Sequence, residues 1–117
     1  MASLDSVADV DIDPSGKFKY ILIEVEKGGQ KKSIVRGYKW AGYHADIYDQ
    51  VCSELEPKSF NCECVGGGRI EHNKNEQTLF VYGYSMGFGK ANHEITVEKL
   101  KAWYPTYTKI TFSDEGY

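Results

Sequence analysis

Cysteine, proline and long apolar runs are all scarce in this chain of 117 residues. Its three cysteines, Cys52, Cys62 and Cys64, cannot form an even set of disulfides, so we expect reduced thiols and a cytoplasmic protein. No stretch approaches the roughly 20 apolar residues that cross a bilayer. Residues 1–13 also lack the apolar core of a signal peptide. We therefore predict a soluble protein with no membrane partner.

Positive charge is also in short supply, because 14 Lys and Arg face 17 Asp and Glu for a formal net charge of −3. Proteins that bind nucleic acid through bulk electrostatics usually carry a basic excess, so we predict no nucleic-acid partner. A local basic pocket stays open. Only three prolines occur, and no linker divides the chain. We expect one domain over residues 1–117 that buries its own core as a monomer, with residues 1–8 as a loose tail.

The sequence lacks the complete patterns of three familiar kinds of site. Cys62-Glu63-Cys64 has poor spacing for a zinc knuckle and no second cysteine pair, and on a strand both thiols would share one face as small hydrophobic groups. The Gly-Gly-Gly-Arg run at 66–69 could form an anion-binding nest, but it lacks the lysine of a nucleotide-binding P-loop. No Cys-x5-Arg phosphatase loop occurs. We therefore predict no metal and no cofactor.

What the chain does have is a regular succession of strand and helix patterns. Gly28-Gly29 predicts a hairpin turn between two strands. The predicted strands cover residues 10–12, 18–25, 33–39, 61–69, 78–85 and 107–112. A first helix is predicted over residues 43–55, and Thr96 is predicted as the N-cap of a second. These elements predict an α+β fold, a single domain with a central mixed β-sheet of about six strands flanked by two α-helices.

His44 is the first candidate for chemistry, because it stands at the predicted start of the first helix. The positive end of the helix dipole disfavours imidazolium, so the ring is expected to be neutral at physiological pH. A neutral imidazole can accept a proton or attack phosphorus. The alternative is a capping or partly buried histidine, which position alone favours. His72 and His93 lie in polar stretches and are predicted to be ordinary solvated residues.

Lys19 and Arg36 each place a cation inside an otherwise apolar strand. A charge there costs free energy unless it is partnered or reaches water. If the two strands pair as a hairpin, both cations could line one pocket and hold a phosphate, the arginine as a bidentate fork and the lysine as a point charge. In the alternative, the side chains extend to the sheet edge or pair with an acid such as Glu24.

The stretch Tyr-Ser-Met-Gly-Phe-Gly at 84–89 is the third candidate. Its glycines let successive backbone N–H groups converge on an anion, and Ser85 adds a hydroxyl. We expect residues 83–89 to bend away from the sheet. Hairpins and bulges use the same residues, so the stretch alone does not identify a phosphate site.

Taken together, these blocks carry a resemblance over nearly the whole chain from Asp9 to the final Gly116-Tyr117. The most specific are Gly-Tyr-Lys-Trp-Ala at 37–41 and Tyr-His-Ala-Asp-Ile-Tyr-Asp at 43–49, followed by Cys-Glu-Cys at 62–64, Gly-Gly-Gly-Arg-Ile at 66–70 and Val-Tyr-Gly-Tyr-Ser-Met at 81–86. The sequence closely resembles the phosphohistidine phosphatase family, also called the janus/ocnus family.

The resemblance implies metal-independent hydrolysis of the P–N bond of phosphohistidine in proteins, with some tolerance for phospholysine. It implies His44 as the catalytic residue, acting as a general base on water or as the nucleophile. It implies a substrate- and phosphate-binding set of Lys19, Arg36, Tyr43, Ser85, Met86 and Gly87. Gly87 replaces an expected alanine, but this position would contribute its backbone N–H, so glycine should serve. A non-catalytic phosphoprotein-binding regulatory module of the janus type is the alternative.

Overall fold

The predicted sheet is present in the computed structural model, which describes residues 3–114. The strands are β1 (Val10–Ile12), β2 (Gly16–Lys27), β3 (Gln30–Tyr38), β4 (Asn61–Asn73), β5 (Thr78–Tyr82) and β6 (Lys109–Phe112). They lie in the order β1-β3-β2-β4-β5-β6, with antiparallel pairs in the centre and one parallel pair at each side. Helices α1 (His44–Leu55) and α2 (His93–Trp103) complete an α+β fold, as predicted. The Gly116-Tyr117 end lies outside the described residues.

Each face of the sheet has its own core, because side chains alternate along every strand. On β2, Ile21 and Ile23 face α1, whereas Tyr20 and Leu22 face α2. Both sets are buried, which explains why this central strand is apolar on both sides. Lys19 falls on the α1 face by the same alternation, just beyond the end of that core. None of the described helices is long and apolar enough to cross a membrane.

The start of the chain is more ordered than the loose tail expected over residues 1–8. A 3-10 helix covers Leu4–Ser6, and Val7 is buried in the core beneath α1. Lys32 fixes this segment, since its Nζ donates a hydrogen bond to the Val7 carbonyl at 2.6 Å and pairs with the Asp9 carboxylate at 2.8 Å. Residues 1 and 2 lie outside the described residues.

The prediction of Thr96 as the second N-cap is wrong by one turn. Asn92 is the N-cap, and its Oδ1 accepts a hydrogen bond from the Glu94 N–H at 3.1 Å. Thr96 is buried instead, and its hydroxyl lies 3.0 Å from that of Tyr20. Asparagine and threonine both cap helices, so only the partner on β2 separates the two positions.

The prediction that His72 and His93 are solvated is also wrong, since both are buried. His72 lies on β4 and forms hydrogen bonds with the Asp13 carbonyl and the Tyr107 hydroxyl. His93 bonds the Tyr20 hydroxyl and the Gly83 carbonyl. Both rings are hydrogen-bonded at each nitrogen, which makes them satisfied core residues. The strand placement of Cys62 and Cys64 is confirmed, because both thiol side chains pack against the core beneath α1.

Candidate active site

His44 is the first residue of α1 and is buried against the sheet, with 7% of its surface exposed. Asp46 stabilises this helix start, because its carboxylate accepts a hydrogen bond from the Tyr43 N–H at 3.0 Å. The ring can approach the sheet because residue 67 on β4 is glycine. A Cβ there would lie 2.8 Å from His44 Cδ2 and 2.9 Å from the Tyr20 carbonyl oxygen.

The tautomer of His44 follows from the one hydrogen bond that its ring makes within residues 3–114. Its Nε2 lies 3.0 Å from the Gly68 carbonyl oxygen, which can only accept, so Nε2 carries the proton. Nδ1 then holds the lone pair, and no hydrogen bond to another described residue occupies it. Burial lowers the pKa of His44, and the charges of Lys19 and Arg69 lower it further. Burial therefore favours the neutral imidazole that the sequence analysis expects from the helix start.

Lys19 and Arg69 lie side by side next to this ring. They are direct partners across β2 and β4, so their side chains leave the same face of the sheet. Tyr38 flanks Lys19 on β3, and Tyr82 flanks Arg69 on β5. The result is a row of two cations between two aromatic side chains, beside a neutral histidine.

The glycine-rich stretch closes the other side of the site. Ser85 and Gly89 are joined by two backbone hydrogen bonds of 2.8 and 3.0 Å, so the residues between them form a tight loop away from the sheet, as expected. The Ser85 hydroxyl is buried and accepts the Phe88 N–H at 3.1 Å. Among the described residues, no acceptor engages the backbone N–H groups of Met86 and Gly87. These two donors are available to an anion.

A cavity of ≈ 370 Å³ lies where these parts meet. Its lining is Lys19, Tyr43, His44, Ala45, Ser85, Met86, Gly87 and Phe88. Six of the seven residues predicted from the sequence therefore surround one space. Tyr43 and Met86 form its rim, with 75% and 90% of their surface exposed. No group of three or more metal-ligating side chains occurs within residues 3–114.

Arg36 is the predicted residue that the structure does not bring to the cavity. It is buried on the same face as Lys19, but its guanidinium points to the N-terminal segment. One nitrogen donates to the Ala8 carbonyl at 2.8 Å and another to the Val35 carbonyl at 2.9 Å. Lys19 does not pair with Glu24 either, because Glu24 pairs with Lys31. The hairpin register alone therefore does not place both cations at one site.

The features beside His44 are those of an anion site: cations, free N–H donors and a neutral ring. A family model described as the Janus/Ocnus family matches residues 4–108. This chain belongs to the Janus/Ocnus family. The resemblance seen in the sequence blocks is thereby confirmed.

Curated members of the Janus/Ocnus family match along the full chain. A 14 kDa phosphohistidine phosphatase from Sus scrofa is 53% identical, over 99% of this chain and 97% of its own length. A protein of the same description from Homo sapiens is 48% identical, over 100% and 98%. The sex-regulated protein janus-A from Drosophila yakuba is 49% identical, over 98% and 85%.

Arg69 is the cation beside the candidate site that the sequence analysis does not select as a site residue. It follows three glycines on β4, at the end of a predicted strand and in a run considered only as a possible anion-binding nest. The signal that selected Lys19, a cation inside a strand, applies equally to Arg69. Only the observed pairing of β2 with β4 sets the two side by side.

Proposed function

We propose that this chain is a protein histidine phosphatase that hydrolyses the P–N bond of phosphohistidine, with phospholysine as a secondary substrate. Family membership and the phosphohistidine phosphatases among its relatives support this function. The observation that carries it is His44, whose Nε2 lies 3.0 Å from the Gly68 carbonyl oxygen and whose ring lines a cavity with Lys19 and Ser85.

Phosphate binding is assigned to the cations and the loop. Lys19 and Arg69 neutralise the phosphoryl oxygens, and the N–H groups of Met86 and Gly87 with the Ser85 hydroxyl complete the cradle. Tyr43 at the rim contacts the rest of the substrate. Arg36 supports the fold behind the site without touching phosphate.

His44 acts as the general base. Its Nδ1 takes a proton from water, whose oxygen attacks phosphorus as the P–N bond breaks. Solvent protonates the other ring nitrogen of the substrate beforehand, so the imidazole takes the electron pair of the broken bond and leaves as a neutral group. His44 then returns its proton to solvent. General-base catalysis of this kind contributes on the order of 100- to 10,000-fold.

We also propose that the protein works as a single-domain monomer in the cytoplasm, with no metal. The three cysteines are free thiols, consistent with a reducing compartment. Its partners are phosphohistidine-containing proteins, and neither nucleic acid nor membrane takes part.

A non-catalytic phosphoprotein-binding module is the second candidate, favoured by the janus-A relatives. Such a module needs the cations, but it has no need of a neutral imidazole whose Nδ1 is left open. The two functions differ in turnover and not in binding.

The test measures phosphate release from a phosphohistidine peptide by wild type and His44→Ala, with and without a chelator. We expect turnover by wild type that is unaffected by the chelator, and a loss of at least about 100-fold in His44→Ala. Binding without turnover by wild type would establish the second candidate. Loss of activity on chelation would contradict the metal-free mechanism.

A further inference from the structure

One face of the sheet is covered over only part of its width. Helix α1 packs on β2, β3 and β4, whereas α2 lies on the opposite face and contacts β1, β3, β5 and β6. On the α1 side, none of the described helices therefore covers the strands from the second half of β4 to β6. We call this region the open face.

Strand register and alternation define the side chains on the open face. Leu79, Val81 and Ile110 point into the core beneath α2, so their neighbours along β5 and β6 point the other way. The open face consists of Lys17, Lys19, Arg69, Glu71, Asn73, Thr78, Phe80, Tyr82, Lys109 and Thr111. Four of these are cations and one is an acid.

An aromatic pair occupies the middle of the open face. The Phe80 and Tyr82 rings are stacked at 5.2 Å between centroids, with 17° between their planes. Phe80 keeps 38% of its surface exposed. Beside the pair, Lys17 and Glu71 bridge at 3.8 Å, whereas no carboxylate within residues 3–114 forms an ion pair with Lys109. An aromatic pair next to such a lysine suits an extended segment with apolar and acidic residues.

The open face is continuous with the candidate active site. Lys19 lines the cavity, Arg69 is its direct cross-strand partner, and Tyr82 is the partner of Arg69. Strands lie about 4.8 Å apart, so Tyr82 stands roughly 10 Å from Lys19. An extended chain covers that distance in about three residues.

We propose that the open face binds the segment of a phosphoprotein substrate that flanks its phosphohistidine, and that this segment carries an apolar side chain and carboxylates. The proposal rests on the histidine phosphatase function. The apolar side chain packs on Phe80 and Tyr82 about three residues from the phosphohistidine. The carboxylates face Lys109, since Lys19 and Arg69 hold the phosphoryl group.

The first test compares two substrates, free phosphohistidine and a phosphohistidine peptide with a phenylalanine and glutamates in its flank. We expect Phe80→Ala to raise the KM of the peptide about 3- to 10-fold, with kcat and the turnover of free phosphohistidine unchanged. Phe112→Ala is the matched control, because Phe112 has the same 38% exposure but lies on the α2 side against His93. An equal KM in Phe80→Ala and wild type would overturn the proposal.

A second pair of variants tests charge without altering the aromatic pair. Lys109→Glu should raise KM for the acidic peptide and lower it for a peptide with lysines in its flank. Lys101→Glu, an exposed lysine on α2, should alter neither. Identical shifts in both variants would assign the effect to net charge and overturn the proposed surface.

Direct titration of the peptide into each variant separates failure of this proposal from failure of the phosphatase function. Without any turnover, a weaker Kd in Phe80→Ala than in Phe112→Ala still supports the open face. Wild type that dimerises in sedimentation, with dissociation by Phe80→Ala, would show that a second copy covers this surface and would overturn the proposal.

Discussion

Two arginines on the same face of the sheet have different surroundings, and those surroundings decide their roles. The Arg36 guanidinium donates hydrogen bonds to two backbone carbonyls. Arg69 lies beside Lys19, and its charge adds to the effect of burial in lowering the pKa of His44. Residue type and strand position are alike for both. The side chain's neighbours across the sheet make the difference.

Replacing each arginine with glutamine should therefore affect different properties. Arg69→Gln is expected to lower kcat/KM by about 100-fold, because it removes a positive charge that stabilises the developing anion. Arg36→Gln leaves the Ala8 and Val35 carbonyls without their charged donor, so we expect about 1–3 kcal/mol less stability and a smaller change in kcat/KM. Urea unfolding and steady-state kinetics on both variants provide the check. A larger loss of kcat/KM in Arg36→Gln would reverse the assignment.

At this scale the sequence predicted most of the candidate site. A helix start, a strand cation and a glycine-rich stretch made His44, Lys19 and Ser85 candidates, and only the family resemblance assigned them roles. The burial of His72 and His93 could not, because their partners Tyr107 and Tyr20 are far away in sequence. Polar neighbours along the chain say little about a side chain that points inward.

Strand β4 is the element that brings the site together. It pairs with β2 at Arg69, presents the Gly68 carbonyl to His44 and is bridged to the Ser85–Gly89 loop, since Gly67 N–H donates to the Gly89 carbonyl at 3.0 Å. The strand and helix patterns predicted most elements to within a few residues. They did not predict this convergence, because strand order and register depend on contacts between distant segments.

A methyl group at position 67 should therefore disrupt the site. Gly67→Ala would place Cβ 2.8 Å from His44 Cδ2 and 3.1 Å from Ser85 Cβ, so the ring must shift. We expect a loss of about 1–3 kcal/mol in stability and at least a 10-fold fall in kcat/KM. Gly87→Ala is the matched control, because a Cβ there meets nothing within 4 Å. Comparable kinetics in the two variants would contradict this role for Gly67.

For the molecule as a whole, the three histidines share one property. Burial is the largest cause of a lowered pKa for His44, His72 and His93. In the unfolded chain the pKa of each histidine is about 6.5. At pH values between the unfolded-state pKa and the lower folded-state pKa of these histidines, the unfolded state binds more protons than the folded state. The free energy of unfolding therefore falls as pH falls.

Stability should accordingly decline below about pH 6.5, by up to roughly 4 kcal/mol per pH unit if all three histidines contribute. Urea unfolding at pH 7.5, 6.5 and 5.5 measures the slope, and we expect little change above pH 7. His72→Gln should reduce the slope by about one proton, or roughly 1.4 kcal/mol per pH unit. Carboxyl groups add little in this window, because in an unfolded chain their pKa values lie at about 4. A flat profile from pH 7 to 5.5 would contradict the expectation.

The hydrogen bond from His44 Nε2 to the Gly68 carbonyl also determines which ring nitrogen could be phosphorylated. It leaves only Nδ1, the π nitrogen of the imidazole, open to an electrophile. If this ring accepted a phosphoryl group, the product would be π-phosphohistidine and never the τ isomer. Alkaline quenching of a single turnover followed by isomer-resolved chromatography would therefore separate an enzyme-bound intermediate from residual substrate whenever the substrate is the τ isomer.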